Sequence, residues 1–210
     1  MTVLPPRHLP IQRATSPTTP SYAGSMSPMD FEVSVADFER LERASSDEVN
    51  LELINGRIYV APVPDGEHDE FIADIGEQIR NNCPELRLLP ERGLLIPAYR
   101  EGRARVDGAV APRGYFRDQP PWSDPAEVSM VVEITSGRER DADIDRYEKR
   151  YAFADASIPT YLLVDRHKAE VTIFWEPREG DYIEKLSAKF GAPLSLPEPF
   201  KFDLDTAVLL

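Results

Sequence analysis

The chain has 210 residues, of which 41% are hydrophobic, so it is long and apolar enough for one globular domain of ordinary size. A formal net charge of −13 argues against a protein that coats nucleic acids generally, because affinity for phosphates comes from Lys and Arg. Cys83 is the one cysteine, which excludes an internal disulfide and a cysteine metal cluster.

The N-terminal segment differs in composition from the rest of the chain. Residues 1–29 are rich in Pro, Ser and Thr, which predicts a disordered tail ahead of a single domain at residues 30–210. The N-terminus lacks the basic-then-apolar order of a signal peptide, and no apolar run of ~18 residues occurs. We therefore expect a cytoplasmic protein that does not span a membrane.

Positive charge is concentrated in one part of this acidic chain. Residues 80–117 contain eight Arg and no Lys. This pattern indicates either a basic flank that could meet a polyanion or an ordinary solvated surface. Both interpretations stay open at this point.

Two helices and a hairpin are predicted in the first half of the chain. The spacing of apolar residues, with Ser34 as N-cap, predicts a helix over residues 30–43. Residues 51–60 form two β-rich arms around Asn55-Gly56, a pair typical of a type I′ turn. A second amphipathic helix is predicted over residues 68–83.

The second half of the chain is rich in β-branched runs. They predict one or two strands at residues 86–97 and further strands at 103–111, 129–136, 159–165, 170–175 and 182–186. A polar turn and a helical segment that carries Lys149 lie between the strands at 129–136 and 159–165. A strand, a helix and a strand in that order are typical of a crossover unit, so these two strands should share one sheet.

Charged residues in and beside these strands are the candidates for chemistry. Glu133 lies in an apolar strand, where an unpaired carboxylate is expensive to bury, so it is either paired or placed to hold a metal. Asp107 lies in another short strand, and two carboxylates from neighbouring strands could bind a hard divalent ion such as Mg²⁺. A lysine beside such an ion, here Lys149, is what phosphodiester hydrolysis needs.

Six fragments of the chain, taken in order, carry a family resemblance. They are Leu51-Glu52-Leu53-Ile54-Asn55-Gly56, His68 at the start of a long helix, Val106-Asp107, Val131-Val132-Glu133-Ile134, Asp145-Arg146-Tyr147-Glu148-Lys149-Arg150-Tyr151 and Ile158-Pro159-Thr160-Tyr161-Leu162-Leu163-Val164-Asp165. Together they resemble the Uma-two family, a group of bacterial endonucleases in the PD-(D/E)XK restriction-endonuclease-like superfamily. The resemblance covers residues 32–204.

This resemblance implies an α/β (α+β) fold, with a restriction-endonuclease-like core, a central mixed β-sheet flanked by helices and an N-terminal β-hairpin. It implies Asp107 and Glu133 as metal ligands, the Ile134 carbonyl as a third, and Mg²⁺ or Mn²⁺ as the ion. The superfamily usually has a Lys two residues after the acid, where this chain has Thr135, and Lys149 matches the family's relocated Lys. DNA is the implied substrate, and we expect a homodimer.

Two further residues are candidates for the catalytic site. Glu52, beside the hairpin turn, could be an outer metal ligand or could hold a water molecule, and His68 could belong to the site. The alternatives are a cross-strand pair between Glu52 and Arg57, and a role for His68 in capping its helix.

The three central candidates also have ordinary structural explanations. Glu133 could be the partner of a buried Arg. Asp107 could form a turn with Gly108, since Asp-Gly is a strong turn signal. Lys149 could make a surface ion pair with Asp145, one helical turn earlier.

The sequence therefore leaves three functions open. The first is a Mg²⁺-dependent endonuclease that hydrolyses DNA phosphodiester bonds. The second is a catalytically weak or inactive protein on the same fold that binds nucleic acid or acts as a dimeric scaffold. The third is hydrolysis of small phosphate esters. The first is our prediction.

Overall fold

The structure, a computed structural model, describes residues 32–46, 49–61, 63–96, 101–136 and 142–210. The predicted disordered tail at residues 1–29 and the predicted polar turn at 137–141 lie outside these residues. Within the described ranges, no helix combines the length and the apolar character needed to cross a membrane.

Each of the two helices in the N-terminal half is capped at its N-terminus by a polar side chain. Helix α1 spans Val35–Ala44, and the Ser34 side chain caps it by accepting a hydrogen bond from a backbone N–H. Helix α2 spans Gly66–Asn82, so it begins two residues before the predicted start. The reason is Asp65, which caps the helix by accepting a hydrogen bond from the His68 N–H at 2.9 Å.

Eleven strands lie in the described part of the chain, and nine of them form one sheet. The strands are β1 (Leu51–Ile54), β2 (Arg57–Val60), β3 (Leu86–Ile96), β4 (Gly102–Pro112), β5 (Trp122–Ser123), β6 (Met130–Ile134), β7 (Thr160–Asp165), β8 (Glu170–Arg178), β9 (Asp181–Lys189), β10 (Leu194–Ser195) and β11 (Asp203–Leu204). The main path of the sheet is β2-β1-β4-β6-β7-β8-β9, with β3 paired to β4 and β5 paired to β3. Strands β10 and β11 form a separate pair.

The centre of the sheet contains the predicted crossover unit. Strands β6 and β7 are parallel, whereas β4 and β8 run antiparallel to them. A helical segment joins β6 to β7: Ile144–Lys149 is π-helical, and α3 (Arg150–Asp155) is α-helical. The mixed sheet, the flanking helices and the β1–β2 hairpin confirm the predicted α/β (α+β) fold class.

The hairpin has the turn that its sequence predicts. Asn55 and Gly56 have φ angles of 51° and 75°, and a type I′ turn needs positive φ at both central positions. Gly56 adopts this conformation without steric cost. The turn therefore fixes the register of β1 on β2, with Glu52 directly opposite Tyr59.

Successive side chains of β6 point into two hydrophobic cores on opposite faces of the sheet. Val132 and Ile134 pack into the core that α2 covers. Val131 packs into the opposite core together with Phe153 of α3. Because side chains of a strand alternate between faces, Glu133 lies on the same face as Val131, beneath the crossover helix.

The π-helical segment is fastened to β7 by two buried contacts. Arg146 donates hydrogen bonds from Nε and Nη2 to the two carboxylate oxygens of Asp165, at 2.7 Å and 2.8 Å. The Tyr161 hydroxyl donates to the Asp145 carbonyl at 2.8 Å. A bidentate guanidinium–carboxylate pair fixes both distance and orientation. The position of the residues on this segment is therefore set by β7.

We predict that Asp165→Asn lowers the free energy of unfolding at pH 7 by about 3 kcal/mol, because it removes the buried carboxylate that pairs with the Arg146 guanidinium. The exposed Asp143, 3.2 Å from the same guanidinium, is a weaker counter-charge. Burial raises the pKa of Asp165, but the hydrogen bonds and charges of Arg146 and Lys168 lower it by more, so this pKa lies below its ordinary value. The contribution of the carboxylate is then present above about pH 4 and is lost as the pH falls through the folded-state pKa. Urea denaturation at several pH values measures this.

The difference in stability between the wild type and Asp165→Asn should accordingly shrink as the pH is lowered below about 4. Lys168→Gln is the control, since this exposed lysine lies 3.3 Å from the same carboxylate and a surface pair contributes at most about 1 kcal/mol. Equal losses for the two variants would contradict the prediction.

Candidate active site

A cavity of about 640 Å³ opens at the C-terminal end of β6. The hairpin, α2, β4, β6 and the π-helical segment all contribute to its wall. Its lining includes all six residues that the sequence analysis named for a catalytic or metal-binding role: Glu52, His68, Asp107, Glu133, Ile134 and Lys149. Apart from the neighbours Glu133 and Ile134, these residues are well separated in the sequence, so the fold brings them together.

Lys149 is the centre of the polar contacts in this cavity. Its ammonium nitrogen lies 3.1 Å and 3.2 Å from the two carboxylate oxygens of Glu133, and 3.2 Å from Oε1 of Glu52. Asp145, four residues earlier, contributes a carboxylate oxygen at 3.5 Å. The Arg105 carbonyl oxygen is a weaker acceptor at 3.4 Å. One buried cation thus faces three carboxylates.

Asp107 lies beside this group and is held by two donors. Its Oδ2 accepts a hydrogen bond from the backbone N–H of Ile134 at 2.7 Å. Nε2 of His68 lies 3.1 Å from the same oxygen. The first contact ties β4 to the end of β6, and the second brings α2 against the same carboxylate.

Glu52 reaches the site because the hairpin joins the sheet next to β4. Leu53 of β1 pairs with Arg103 of β4. The Glu52 carboxylate then accepts a hydrogen bond from the Arg105 N–H at 2.8 Å while it contacts Lys149. Glu52 is buried, so these two contacts offset the cost of burying its charge.

Burial and crowding of like charges shift the pKa values in the cavity. Burial is the main cause of a Glu133 pKa well above its ordinary value, with nearby carboxylates adding to it and Lys149 opposing it. The pKa of Asp145 is raised to about 7, again mainly by burial and against the effect of Lys149.

Lys149 and His68 have raised pKa values because nearby carboxylates stabilise their charged forms. Burial lowers the pKa of Lys149, but the charges of Glu133 and its neighbours raise it by more, so the net pKa lies well above the ordinary value. Burial also lowers the pKa of His68, and the hydrogen bond and charge of Asp107 more than compensate. Lys149 is therefore an ammonium at neutral pH, and it faces the carboxyl groups of Glu133, Glu52 and Asp145.

The donor chemistry of the cavity fits a hard divalent cation. Its carboxylate oxygens are the ligands that Mg²⁺ and Mn²⁺ take, and Mg²⁺ needs only one or two protein carboxylates because it keeps several waters. In the ranges that the structure describes, no three His, Cys, Asp or Glu residues are already arranged around a common metal position. Asp107 and Glu133 would hold the ion, and the excess of negative charge favours its binding.

The structure rules out the alternative explanations for Glu133 and Asp107 and changes the one for Lys149. Glu133 is paired with Lys149 rather than with an Arg. Asp107 and Gly108 lie within strand β4 rather than in a turn. The ion pair of Lys149 with Asp145 exists, but it is buried rather than at the surface, since the two side chains are 7% and 12% exposed.

Asp145 contacts Lys149 in this cavity, but the sequence analysis gave it no role in the site. The spacing of four residues to Lys149 indicated a contact, but the exposure of a polar helical segment cannot be read from spacing alone. As for His68, helix α2 is capped by Asp65, and the imidazole of His68 faces Asp107 instead.

Comparison with known proteins gives a family for this arrangement. Residues 35–208 match the family described as "Uma2: Putative restriction endonuclease". The chain belongs to the Uma2 family. This confirms the resemblance that the six sequence fragments carry.

The fold of this Uma2 protein is also found in a solved structure. It is similar to the crystal structure of "a putative nuclease belonging to DUF820 from Anabaena variabilis", with a TM-score of 0.62 and 16% sequence identity. The similarity covers 85% of this chain and 99% of the other. No curated protein matches the chain in sequence.

We predict that Lys149→Met destabilises this Uma2 protein by about 3 kcal/mol or more, because it leaves Glu133 and its neighbouring carboxylates buried without a cation. Adding Glu133→Gln to the same chain should restore part of this loss, since it removes one of the uncompensated charges. Urea denaturation of the single and double variants measures both effects.

Lys189→Met serves as the control for this prediction. Lys189 is 66% exposed and lies 3.2 Å from Glu170, and the loss of such a surface pair costs at most about 1 kcal/mol. If Lys149→Met were as stable as this control, the buried carboxylates would not depend on the ammonium.

Proposed function

We propose that the protein is a divalent-metal-dependent endonuclease that hydrolyses phosphodiester bonds in DNA. The observation that carries this proposal is the convergence of Asp107, Glu133 and Lys149 in one cavity, although Lys149 comes from a helix and not from the strand of Glu133. Membership of a family described as restriction endonucleases supports the same reaction class.

Each of these side chains has a distinct part in the proposed reaction. Asp107 and Glu133 would hold the divalent ion, with the carbonyl of Ile134 as a further oxygen. When bound, such an ion would polarise the scissile phosphate and lower the pKa of a water molecule. Lys149, as an ammonium, neutralises the charge that develops on the phosphate oxygens in the transition state.

Two neighbouring residues position this group. His68 contacts Oδ2 of Asp107 and orients its carboxylate. Glu52 contacts the Lys149 ammonium and a backbone N–H of β4, so it holds the lysine beside Glu133. Groups that orient ligands in this way commonly tune a metal site.

One observation favours the second function that the sequence left open. Both carboxylate oxygens of Glu133 are engaged by Lys149 in the structure, at 3.1 Å and 3.2 Å. A metal must compete with the ammonium for these oxygens. If it cannot, the protein is a nucleic-acid-binding or scaffold protein on the same fold.

We predict that the purified protein cleaves DNA in the presence of Mg²⁺ or Mn²⁺ and that EDTA abolishes the cleavage. Asp107→Ala and Glu133→Ala should each reduce the rate by about 100-fold or more, which is the usual effect of removing one electrostatic contributor to the transition state. Conversion of supercoiled plasmid measures the rate.

Glu77→Ala is the matched control, because Glu77 is an exposed carboxylate on α2 that pairs only with Arg80 among the described residues. It removes the same charge and should leave the rate unchanged. Cleavage that persists in EDTA would exclude the proposed mechanism.

A measurement of metal binding distinguishes the proposed nuclease from the non-catalytic function. Calorimetric titration with Mn²⁺ should show binding to the wild type, together with a rise in the thermal midpoint, and both should be lost in the Asp107→Ala variant. Neither heat nor a thermal shift in the wild type would favour the non-catalytic function. The homodimer and the cytoplasmic location stay predictions.

A further inference from the structure

A second cavity, of about 290 Å³, has a chemistry opposite to that of the first. Three arginines, Arg87, Arg92 and Arg117, line it together with the apolar residues Leu89 and Phe116. Within the described residues, no carboxylate lines this cavity. In a chain with a formal net charge of −13, three arginines around one cavity without an acidic residue are unexpected.

Arg92 is fixed in place by neutral partners. Its Nε donates to Oγ of Ser123 at 2.9 Å, and its Nη2 donates to the carbonyl oxygen of Pro120. The guanidinium carbon lies 5.2 Å from the centre of the Phe116 ring, a distance at which cation–π attraction operates. These contacts orient the guanidinium but leave its charge uncompensated.

The other two arginines of this cavity are available to a ligand. Arg87 and Arg117 are both exposed. In the part of the chain that the structure describes, neither side chain has a hydrogen-bond or ion-pair partner. By contrast, the nearby Arg103 and Arg105 are paired with Glu39 and Glu42. Unpaired arginines in a fixed fork geometry suit the oxygens of a phosphate.

Strand β4 extends from the candidate active site to this second cavity. Arg87 lies opposite Ala111, four residues beyond Asp107 along this strand. At ~3.3 Å per residue, Asp107 and Ala111 are ~13 Å apart along β4. This distance corresponds to about four nucleotides of one strand, at ~3.4 Å of helix axis per nucleotide.

We propose that this arginine cavity binds a backbone phosphate of the nucleic-acid substrate, a few nucleotides from the bond that is cleaved. The proposal rests on the proposed function for the identity of the substrate. It also assigns a role to the basic segment at residues 80–117, for which the sequence left a polyanion contact and an ordinary surface open. The contact is to the backbone, so it adds affinity without sequence specificity.

The test measures binding separately from cleavage. A fluorescent 20-base-pair duplex is titrated in Mg²⁺ with the Glu133→Gln variant, in which we expect cleavage to be strongly slowed, and with the same variant carrying Arg87→Gln and Arg117→Gln. We expect about tenfold weaker binding at ~0.1 M salt for the arginine variant. The slope of log K against log salt should become shallower by about one, because the contact to one phosphate is lost.

The control carries Arg43→Gln and Arg178→Gln in the same background. Both arginines are exposed and remote in sequence from the arginine cavity, so this variant has the same change in net charge and should bind like the parent. Equal weakening in the two double variants, no weakening in either, or no binding by the parent would overturn the proposal. Binding of inorganic phosphate that depends on Arg87 and Arg117, without duplex binding, would do the same, because it would indicate a site for a small phosphate.

Failure of this proposal is distinguishable from failure of the proposed function. Plasmid cleavage by the wild type tests the reaction alone. Duplex binding that depends on Arg87 and Arg117 without any metal-dependent cleavage would support the arginine cavity as a nucleic-acid contact and remove only the catalytic function.

Discussion

The buried ammonium of Lys149 is the group on which the candidate site depends. Glu133, Glu52 and Asp145 all lie within 3.5 Å of it, and these three carboxylates come from a central strand, a hairpin and a helix. Without a cation between them, mutual repulsion and the loss of hydration would make this arrangement expensive. The charge of one lysine therefore holds three elements of the fold at a common point.

The remaining structure fixes the position of that lysine. The bidentate contact of Arg146 with Asp165 and the hydrogen bond from the Tyr161 hydroxyl fasten the π-helical segment to β7. Since β7 is parallel to β6, the same contacts place Lys149 over Glu133. π-helical turns occur often at functional sites, and here the turn carries both Asp145 and Lys149. The residues of the site thus lie on strands and helices rather than on loops, which favours a precise geometry.

The two cavities differ in the charged residues that line them. One is lined by five carboxylates together with Lys149, Arg105, Arg166 and His68, and the other is lined by three arginines and no acidic side chain among the described residues. The polyanionic substrate that we propose would be repelled by the carboxylates of the first cavity unless a cation is bound there, and it would be attracted by the second. In the proposed function, such a division would couple substrate binding at the acidic cavity to metal binding, and the arginines would contribute affinity from a distance.

The sequence by itself determined the local elements and the family. Asn55-Gly56 specified the hairpin turn, the β-branched runs specified the central strands, and the carboxylate of Glu133 in an apolar strand marked the site. These features depend on neighbouring residues, so spacing and residue type suffice to identify them. Only the tertiary structure decided that Asp145 is buried, that His68 faces Asp107 and that Glu52 meets Lys149. Each of these contacts depends on how β1, β4 and the crossover helix pack, and residues brought together by packing leave no periodic signal in the chain.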